Sequence, residues 1–439
     1  PVFGALPTIT VKSYSEALDA FEKRGFSGTV LVGKKGEDAF IESRGFRDYF
    51  NLDAGLIKST DRLLIGSNTK QFVAATILKL EEKGHLSTED FLSKFLPDYP
   101  WSDRVTLAQL MNHTAGVPNY TDLTDIVALI SNPVTNEEIS AIFGSRELDF
   151  EPGSKWNYSN SGYFLLGQVI ENITGRSWFE VLRDELLVPA GMLDTGYDTE
   201  YVAYDGLKGF DWNGRFELVP TKTRYLTWAN AAGALYSTTH DLATWNRALH
   251  SGKVLSTASY EKMVKPGLED YGFGLLHVFL SFGNQDVEII GHSGGLPGFY
   301  SKNYVYPKQE FETIVLSNAT NGEDRGVEAA LRKISIFGEA TVTPIPESVS
   351  TTPEFLEELK GRYAFKDFDA HAGFDLKNGE LFFRIEEQED DGSLVRVIGN
   401  DLLYLRFDDI TMDVLRNTDA TVTGFKLTQQ GQEFIAEKE

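Results

Sequence analysis

The alternation of apolar and polar positions changes character along the chain and predicts its elements in turn. Residues 29–32 and 39–41 are apolar, β-branched runs separated by a turn-like stretch that opens with Gly33-Lys34-Lys35-Gly36, which predicts a β-hairpin. From Thr69 to Lys83 helix formers carry apolar side chains on most faces, and Gly84 stands where a helix C-terminal glycine belongs. A buried helix beginning at Ser67 follows from that pattern. Further helices are expected at 107–111, 137–143, 162–174, 178–187 and 239–249, joined by loops rich in Pro, Gly, Asn and Asp. Strand-like runs return at 288–291, 300–306 and 313–317, before a helix at 327–336. Strands on both sides of a helical middle predict one sheet assembled from distant segments.

Residues 341–353 contain Pro344, Pro346 and Pro353 among many hydroxyl side chains, a composition that suits an extended, solvated linker. It divides a first domain, 1–340, from a second, 354–439. In the second, short runs at 373–376, 380–385, 402–407 and 421–427 alternate with Asn-Gly, Asp-Gly and Gly-Asn turn signals, the pattern of a small antiparallel β domain.

Composition narrows the function classes. With 439 residues, 41% of them hydrophobic, the chain can bury large cores. No stretch approaches the roughly 18 to 20 apolar residues needed to cross a bilayer, so membrane insertion is not expected. A formal charge of -24 and a pI near 4.7 repel phosphate backbones and anionic lipid, which argues against nucleic-acid partners. There is no cysteine, and the seven histidines form no HExxH, so thiol chemistry is excluded and neither a metal nor another cofactor is expected. The chain opens on Pro1 rather than Met, which suggests a trimmed form.

Three short segments could carry chemistry. Ser67-Asn68-Thr69-Lys70 places a hydroxyl and an amine three residues apart on the first turn of the predicted helix, where they can touch. A serine becomes a nucleophile when a base takes its proton, and a lysine can serve if burial lowers its pKa. Tyr158-Ser159-Asn160 supplies a phenol able to relay a proton and an amide able to position lysine or substrate. His292-Ser293-Gly294-Gly295 follows a predicted strand, where its backbone could hold an extended substrate. Each pattern has a decoy: Ser259-Tyr-Glu-Lys262, expected on an exposed helix, then Tyr49-Phe50-Asn51 and His371-Ala-Gly373. The force lies in order and context, since Ser67 opens a helix, Tyr158 lies in the helical middle and His292 at a returning strand.

With those segments the chain resembles the serine β-lactamase-like and penicillin-binding-protein superfamily, in particular its class C, CubicO-like branch of DD-peptidases and esterases. Further phrases carry the resemblance over roughly residues 15 to 340: Met111-Asn-His-Thr-Ala-Gly116, Glu151-Pro-Gly-Ser-Lys-Trp-Asn-Tyr-Ser-Asn-Ser-Gly162, Pro189-Ala-Gly-Met-Leu-Asp-Thr195 and Ala232-Gly-Ala-Leu-Tyr-Ser-Thr-Thr-His-Asp241. The resemblance implies an α+β fold, a β-lactamase/transpeptidase-like sheet flanked by helices, followed by a small antiparallel, barrel-like domain similar to lipocalins that is expected to restrict substrate size. It implies acylation of Ser67 with Lys70 and Tyr158 as proton-transfer partners, either of which could be the base. Asn160, His292, Ser293, Gly294 and Gly295 would bind substrate, and the backbone N–H groups of Ser67 and Gly295 would form the oxyanion hole. The Asn112-His113 pair reads as structural.

The third motif, His-Ser-Gly, replaces the Lys-Thr-Gly usual in efficient β-lactamases, so a constant charge becomes one expected to titrate near neutral pH, while Ser293 retains a hydroxyl where relatives contact a substrate carboxylate. The expected function is therefore a peptidase on short peptides, including D-residue substrates, with a carboxylesterase as the alternative. A β-lactamase, an acyltransferase and a non-catalytic penicillin-binding or sensing protein rank lower. The partner is a small peptide or ester, a homo-oligomer is left open, and the resemblance implies a location outside the cytoplasm.

Overall fold

The computed structural model of the chain describes residues 6–123, 126–199, 207–282, 285–386, 392–406, 409–429 and 431–439. They divide into two compact units, one made of described residues within Ser13–Asp211 and Pro220–Gly338, the other of those within Glu339–Glu439 together with residues 6–12 and 212–219.

The larger unit is built on a six-stranded antiparallel sheet. The first hairpin joins β1 (Gly28–Lys34) to β2 (Glu37–Arg44) through Lys35 and Gly36, both at positive φ as a type I′ turn requires. The other four strands come from far along the chain: β3 (Leu276–Phe282), β4 (Gln285–Leu296), β5 (Phe299–Tyr306) and β6 (Phe311–Ser317). The order is β2-β1-β6-β5-β4-β3. The sheet expected from distant segments forms because β6 is buried on both faces and accepts β1 along one side, in the register Val315↔Val30.

The helices that frame this sheet are α1 (Tyr14–Lys23), α2 (Thr69–Glu82), α3 (Leu107–Met111), α4 (Asn160–Thr174), α5 (Thr239–His250) and α6 (Glu323–Phe337). α1 and α6 pack together, with a buried Arg24–Glu323 ion pair at 2.7 Å; a Cβ on Gly326 would lie 2.5 Å from the Phe21 ring. α5 lies against β1 and β6 and stacks Trp245 on Phe72 of α2, ring centroids 4.2 Å apart. α2 is buried from Thr69 through Leu78 and again at Leu80, as apolar residues on most faces demand, and Gly84 follows it at φ 77°. The expected helix 178–187 keeps its regular form over Trp178–Leu182 and then widens into a π-type turn over Arg183–Leu187. No helix among the described residues is long and apolar enough to cross a membrane.

β4 departs from expectation. It was read to end at Gly291, but its ladder with β5 continues to the pair Leu296↔Phe299, so the His-Ser-Gly-Gly run lies within the strand. The glycines and polar residues lack β-propensity, and pairing with β5 overrides it. The ladder with β3 on the other side ends at Gly291↔Leu276.

The smaller unit carries a nine-stranded antiparallel sheet in the order Ser393–Leu394, Glu380–Ile385, His371–Lys377, Gly361–Phe365, Gln432–Lys438, Val422–Gln429, Ile410–Arg416, Leu402–Leu405, Arg396–Gly399. Its two outermost strands are consecutive in the chain, joined through Val395, whose N–H donates to Leu381 O at 2.8 Å. The sheet therefore curls until its edges nearly meet, giving a barrel-like form around Tyr363, Phe374, Phe383 and Phe425. Thr341 and Val342, read as linker, pair instead with Thr10 and Ile9. Residues 212–219 also belong to this unit: Leu394 N–H donates to Gly214 O at 2.7 Å, and the Arg406 guanidinium sits 4.4 Å from the Trp212 ring centroid.

Leu331 on α6 is fully buried. Leu331→Ala should lower stability by about 2–5 kcal/mol in urea denaturation, the range for large-to-small changes in a packed core.

Candidate active site

Ser67 lies on a tight 3-10 turn, Gly66–Asn68, that leads into α2. The turn is pinned from below: Asn68 Nδ2 donates to Ser301 Oγ at 2.7 Å, Ser301 Oγ donates to Ile65 O at 2.7 Å, and Gln71 Nε2 donates to Asn68 Oδ1 at 2.8 Å. These bonds tie the turn to β5. Gly66 has φ 52°, and a Cβ there would lie 2.7 Å from Gly295 N; one on Gly294 would lie 1.9 Å from Ile65 O. The two glycine positions let β4 run against the turn, which brings the Gly295 backbone beside Ser67.

Lys70, fully buried one turn along, sets Nζ 3.0 Å from Ser67 Oγ, 2.9 Å from Asn160 Oδ1 and 2.6 Å from Ala232 O. Its amine also lies 4.8 and 5.4 Å from the ring centroids of Tyr158 and Tyr163. Burial holds the Lys70 pKa well below the usual lysine value. The Tyr158 hydroxyl donates to Ser67 Oγ at 2.7 Å, and burial raises its pKa, so it stays a phenol. Asn160 opens α4; its backbone N–H donates to Asn119 Oδ1 at 2.9 Å and its Nδ2 to Thr121 Oγ1 at 3.1 Å, which turns Oδ1 toward Lys70.

These bonds restrict the protons. Asn160 Oδ1 and Ala232 O can only accept, so a neutral Lys70 amine spends both N–H groups on them and turns its lone pair to Ser67. Ser67 Oγ already accepts from Tyr158 and is free to donate to that lone pair. The arrangement can remove a proton from the serine and deliver another from the phenol.

The third motif is placed less simply. His292 is buried beside this cluster, its Nδ1 bonded to Ser293 O and its Nε2 2.8 Å from the Tyr271 hydroxyl. Burial pushes its pKa down to about 3. The expectation that this residue titrates near neutral pH is corrected: it is uncharged there, because the strand and the aromatic side chains around it exclude water. Ser293 pairs across the ladder with Lys302. Gly294 and Gly295 line the close approach to the turn.

Two residues beyond the expected set join the cluster. His113, read as structural, has its ring 4.3 Å from that of Tyr158 and 4.6 Å from that of Tyr271, and its Nδ1 accepts from Ser159 N–H at 3.2 Å. Tyr271 had no signal in its local sequence, because its partners come from distant segments. The decoys disperse. Ser259 is on a helix as expected but buried rather than exposed, and Lys262 pairs with Glu81 at 3.0 Å. Tyr49 packs edge-on against Phe210, and His371 lies in the barrel-like sheet. A small cavity of about 60 Å³ opens at Ser67, with Tyr120, Trp228 and Leu296 as its large apolar walls.

A beta-lactamase family model matches residues 19–336, and the chain belongs to that family. It is 29% identical over 346 residues to penicillin-binding protein 4* of Bacillus subtilis (strain 168), spanning 74% of this chain and 75% of that protein. The crystal structure of a D-stereospecific amidohydrolase from Streptomyces sp. is similar at TM-score 0.64 and 27% identity, covering 75% of this chain and 100% of the other. The octameric penicillin-binding protein homologue from Pyrococcus abyssi shares the fold across 96% of this chain and 98% of its own, at TM-score 0.64 and 23% identity.

Gly66→Ala should slow covalent labelling of Ser67 by about 100-fold or more, the scale of losing one oxyanion donor, because the added Cβ forces the turn away from Gly295. Labelling rates followed by intact-protein mass, with circular dichroism to verify folding, test this.

Proposed function

We propose that the protein is a serine hydrolase that works through an acyl-enzyme on Ser67 and cleaves short peptides, including those with a D-residue beside the scissile bond. The observation that carries this reading is the arrangement of Ser67 between an amine and a phenol, 3.0 Å from Lys70 Nζ and 2.7 Å from the Tyr158 oxygen. Lys70, neutral through burial, takes the serine proton as Oγ attacks the carbonyl carbon. The negative oxygen that develops meets the N–H groups of Ser67 and Gly295. Tyr158, still protonated, gives its proton to the departing nitrogen, and the Lys70 ammonium restores the phenol. Water then attacks the acyl carbon by the same route in reverse roles.

An amide leaving group needs that proton more than an ester does, and a phenol held protonated beside Oγ supports the peptidase reading. The D-stereospecific amidohydrolase among the similar structures supports the stereochemical part. Asn160 holds Lys70 and borders the substrate cavity, while β4 beyond Gly291 offers backbone groups to an extended peptide. Placement in the class C, CubicO-like branch, a location outside the cytoplasm, and a lipocalin-like accessory domain at 354–439 belong to the same proposal. They rest on the motif order and on the barrel-like sheet.

Incubation with a fluorophosphonate should add one adduct to the protein, absent in Ser67→Ala and in Lys70→Met. Penicillin should give a second, slower adduct at the same serine; a fluorophosphonate adduct that persists in Ser67→Ala would refute the assignment. Hydrolysis of matched D- and L-alanyl amides and esters then separates amide from ester preference.

The pH dependence follows from Lys70. Its reactive form is neutral, so labelling should decline as pH falls through the lowered pKa. Between that value and the ordinary one the unfolded chain binds a proton that the folded chain does not, so stability rises with pH across this window. Lys70→Met removes the penalty and should raise stability at neutral pH by about 1–2 kcal/mol while abolishing labelling, as measured by thermal unfolding.

A further inference from the structure

We propose that Tyr271 is a positioning residue for the proposed hydrolase: its hydroxyl holds His292 as the uncharged Nδ1–H tautomer, so that the strand beside Ser67 presents no second cation to Lys70. This rests on the reading of Ser67 and Lys70 given above.

The argument starts from what each ring nitrogen touches. Nδ1 of His292 is bonded to the carbonyl oxygen of Ser293, which can only accept, so Nδ1 carries a hydrogen. In the neutral ring Nε2 is then a lone pair, and the Tyr271 hydroxyl, 2.8 Å away, donates to it. The phenol is fully enclosed, its ring 4.6 Å from His113, 5.9 Å from Trp156 and 6.4 Å from Tyr158. Protonation of His292 would put a hydrogen on Nε2 facing the phenol, which would have to turn its own O–H toward these ring faces. A buried O–H turned away from its acceptor is costly.

The surroundings give that cost a function. Lys70 from α2, His113 from the segment after α3, Tyr158 from the segment before α4 and Tyr271 from the segment before β3 face one another around His292. Lys302 on β5, paired with Asp324 at 3.6 Å, adds its field from the neighbouring strand. His113 is likewise neutral: its Nδ1 accepts from Ser159 N–H, and its Nε2 is buried without a hydrogen-bond partner. Three groups able to carry positive charge thus share one enclosed, largely aromatic space. A cation at His292 would repel the proton that Lys70 must accept from Ser67. Tyr271 therefore acts through His292 on the proton affinity of Lys70 and lies outside the lining of the cavity at Ser67.

The test uses the full chain labelled with ¹⁵N-histidine, with His292→Gln assigning the His292 signals. Long-range proton–nitrogen correlation should report the neutral Nδ1–H tautomer at neutral pH, and in Tyr271→Phe His292 should take up its second proton about one pH unit higher than in the unmodified protein, the scale of one lost hydrogen bond. Fluorophosphonate labelling of Tyr271→Phe should fall about tenfold at the acid end of the profile, the scale of one lost hydrogen bond, and recover toward the unmodified rate at the alkaline end. In the double variant the Tyr271→Phe effect should vanish, since its route through His292 is gone. An unshifted His292 titration in Tyr271→Phe, a uniform loss of labelling at all pH values, or additive losses in the double variant would overturn the inference. Failure of the unmodified protein to label at Ser67 would refute the hydrolase reading alone, and the His292 titration would still decide the role of Tyr271.

Discussion

A primary amine enclosed without access to water sets the conditions that the larger unit has to meet. An ammonium in that position would carry a desolvation penalty of several kcal/mol, so Lys70 is held toward its neutral form by burial, and its hydrogen bonds to Asn160, Ala232 and Ser67 must come from three separate parts of the chain. α2 has to be buried on nearly every face to keep water out, and it is. The helical middle must supply Asn160 in one orientation, which the bonds to Asn119 and Thr121 enforce. A chemical requirement on one side chain thereby becomes a packing requirement on several elements.

The second constraint is the approach of β4 to the turn that carries Ser67. Backbone meets backbone there at distances no side chain allows, and glycine at 66 and 294 is the consequence. The turn is held by Asn68 and Ser301, so the sheet and α2 share one hydrogen-bonded joint. Because β5 continues the ladder beyond the point where β3 stops, one side of β4 is braced while the other side past Gly291 is left to the site.

Much of this was legible beforehand. The buried helix after Ser67, the hairpin at 33–36 and the strands that form β5 and β6 announce themselves through periodicity and turn residues, which are local properties. Ser67, Lys70, Tyr158 and Asn160 were picked out by their order along the chain, and the fold brings them together. The extent of β4 was hidden because its end is glycine-rich and polar and is a strand solely through its partner. Tyr271 was not identified because nothing beside it in sequence marks it, and His113, though it lies in a recognised phrase, was read as structural; the meaning of both lies in rings and nitrogens contributed from elsewhere.

The chain order of residue types was enough to determine the family, the layered α+β architecture and which serine and lysine to examine, since spacing on a helix turn and apolar periodicity depend on neighbours a few positions away. Which of two Ser-x-x-Lys pairs could be reactive was decided by tertiary structure: Lys262 meets Glu81 and keeps an ion pair, whereas Lys70 meets neutral acceptors in a dry interior. The charge of His292 was decided in the same way. A histidine in sequence carries an ordinary pKa near neutrality, and burial among Tyr271 and Tyr158 moves it down against the opposing pull of the Ser293 carbonyl, because proton affinity depends on solvation and on partners that only folding assembles.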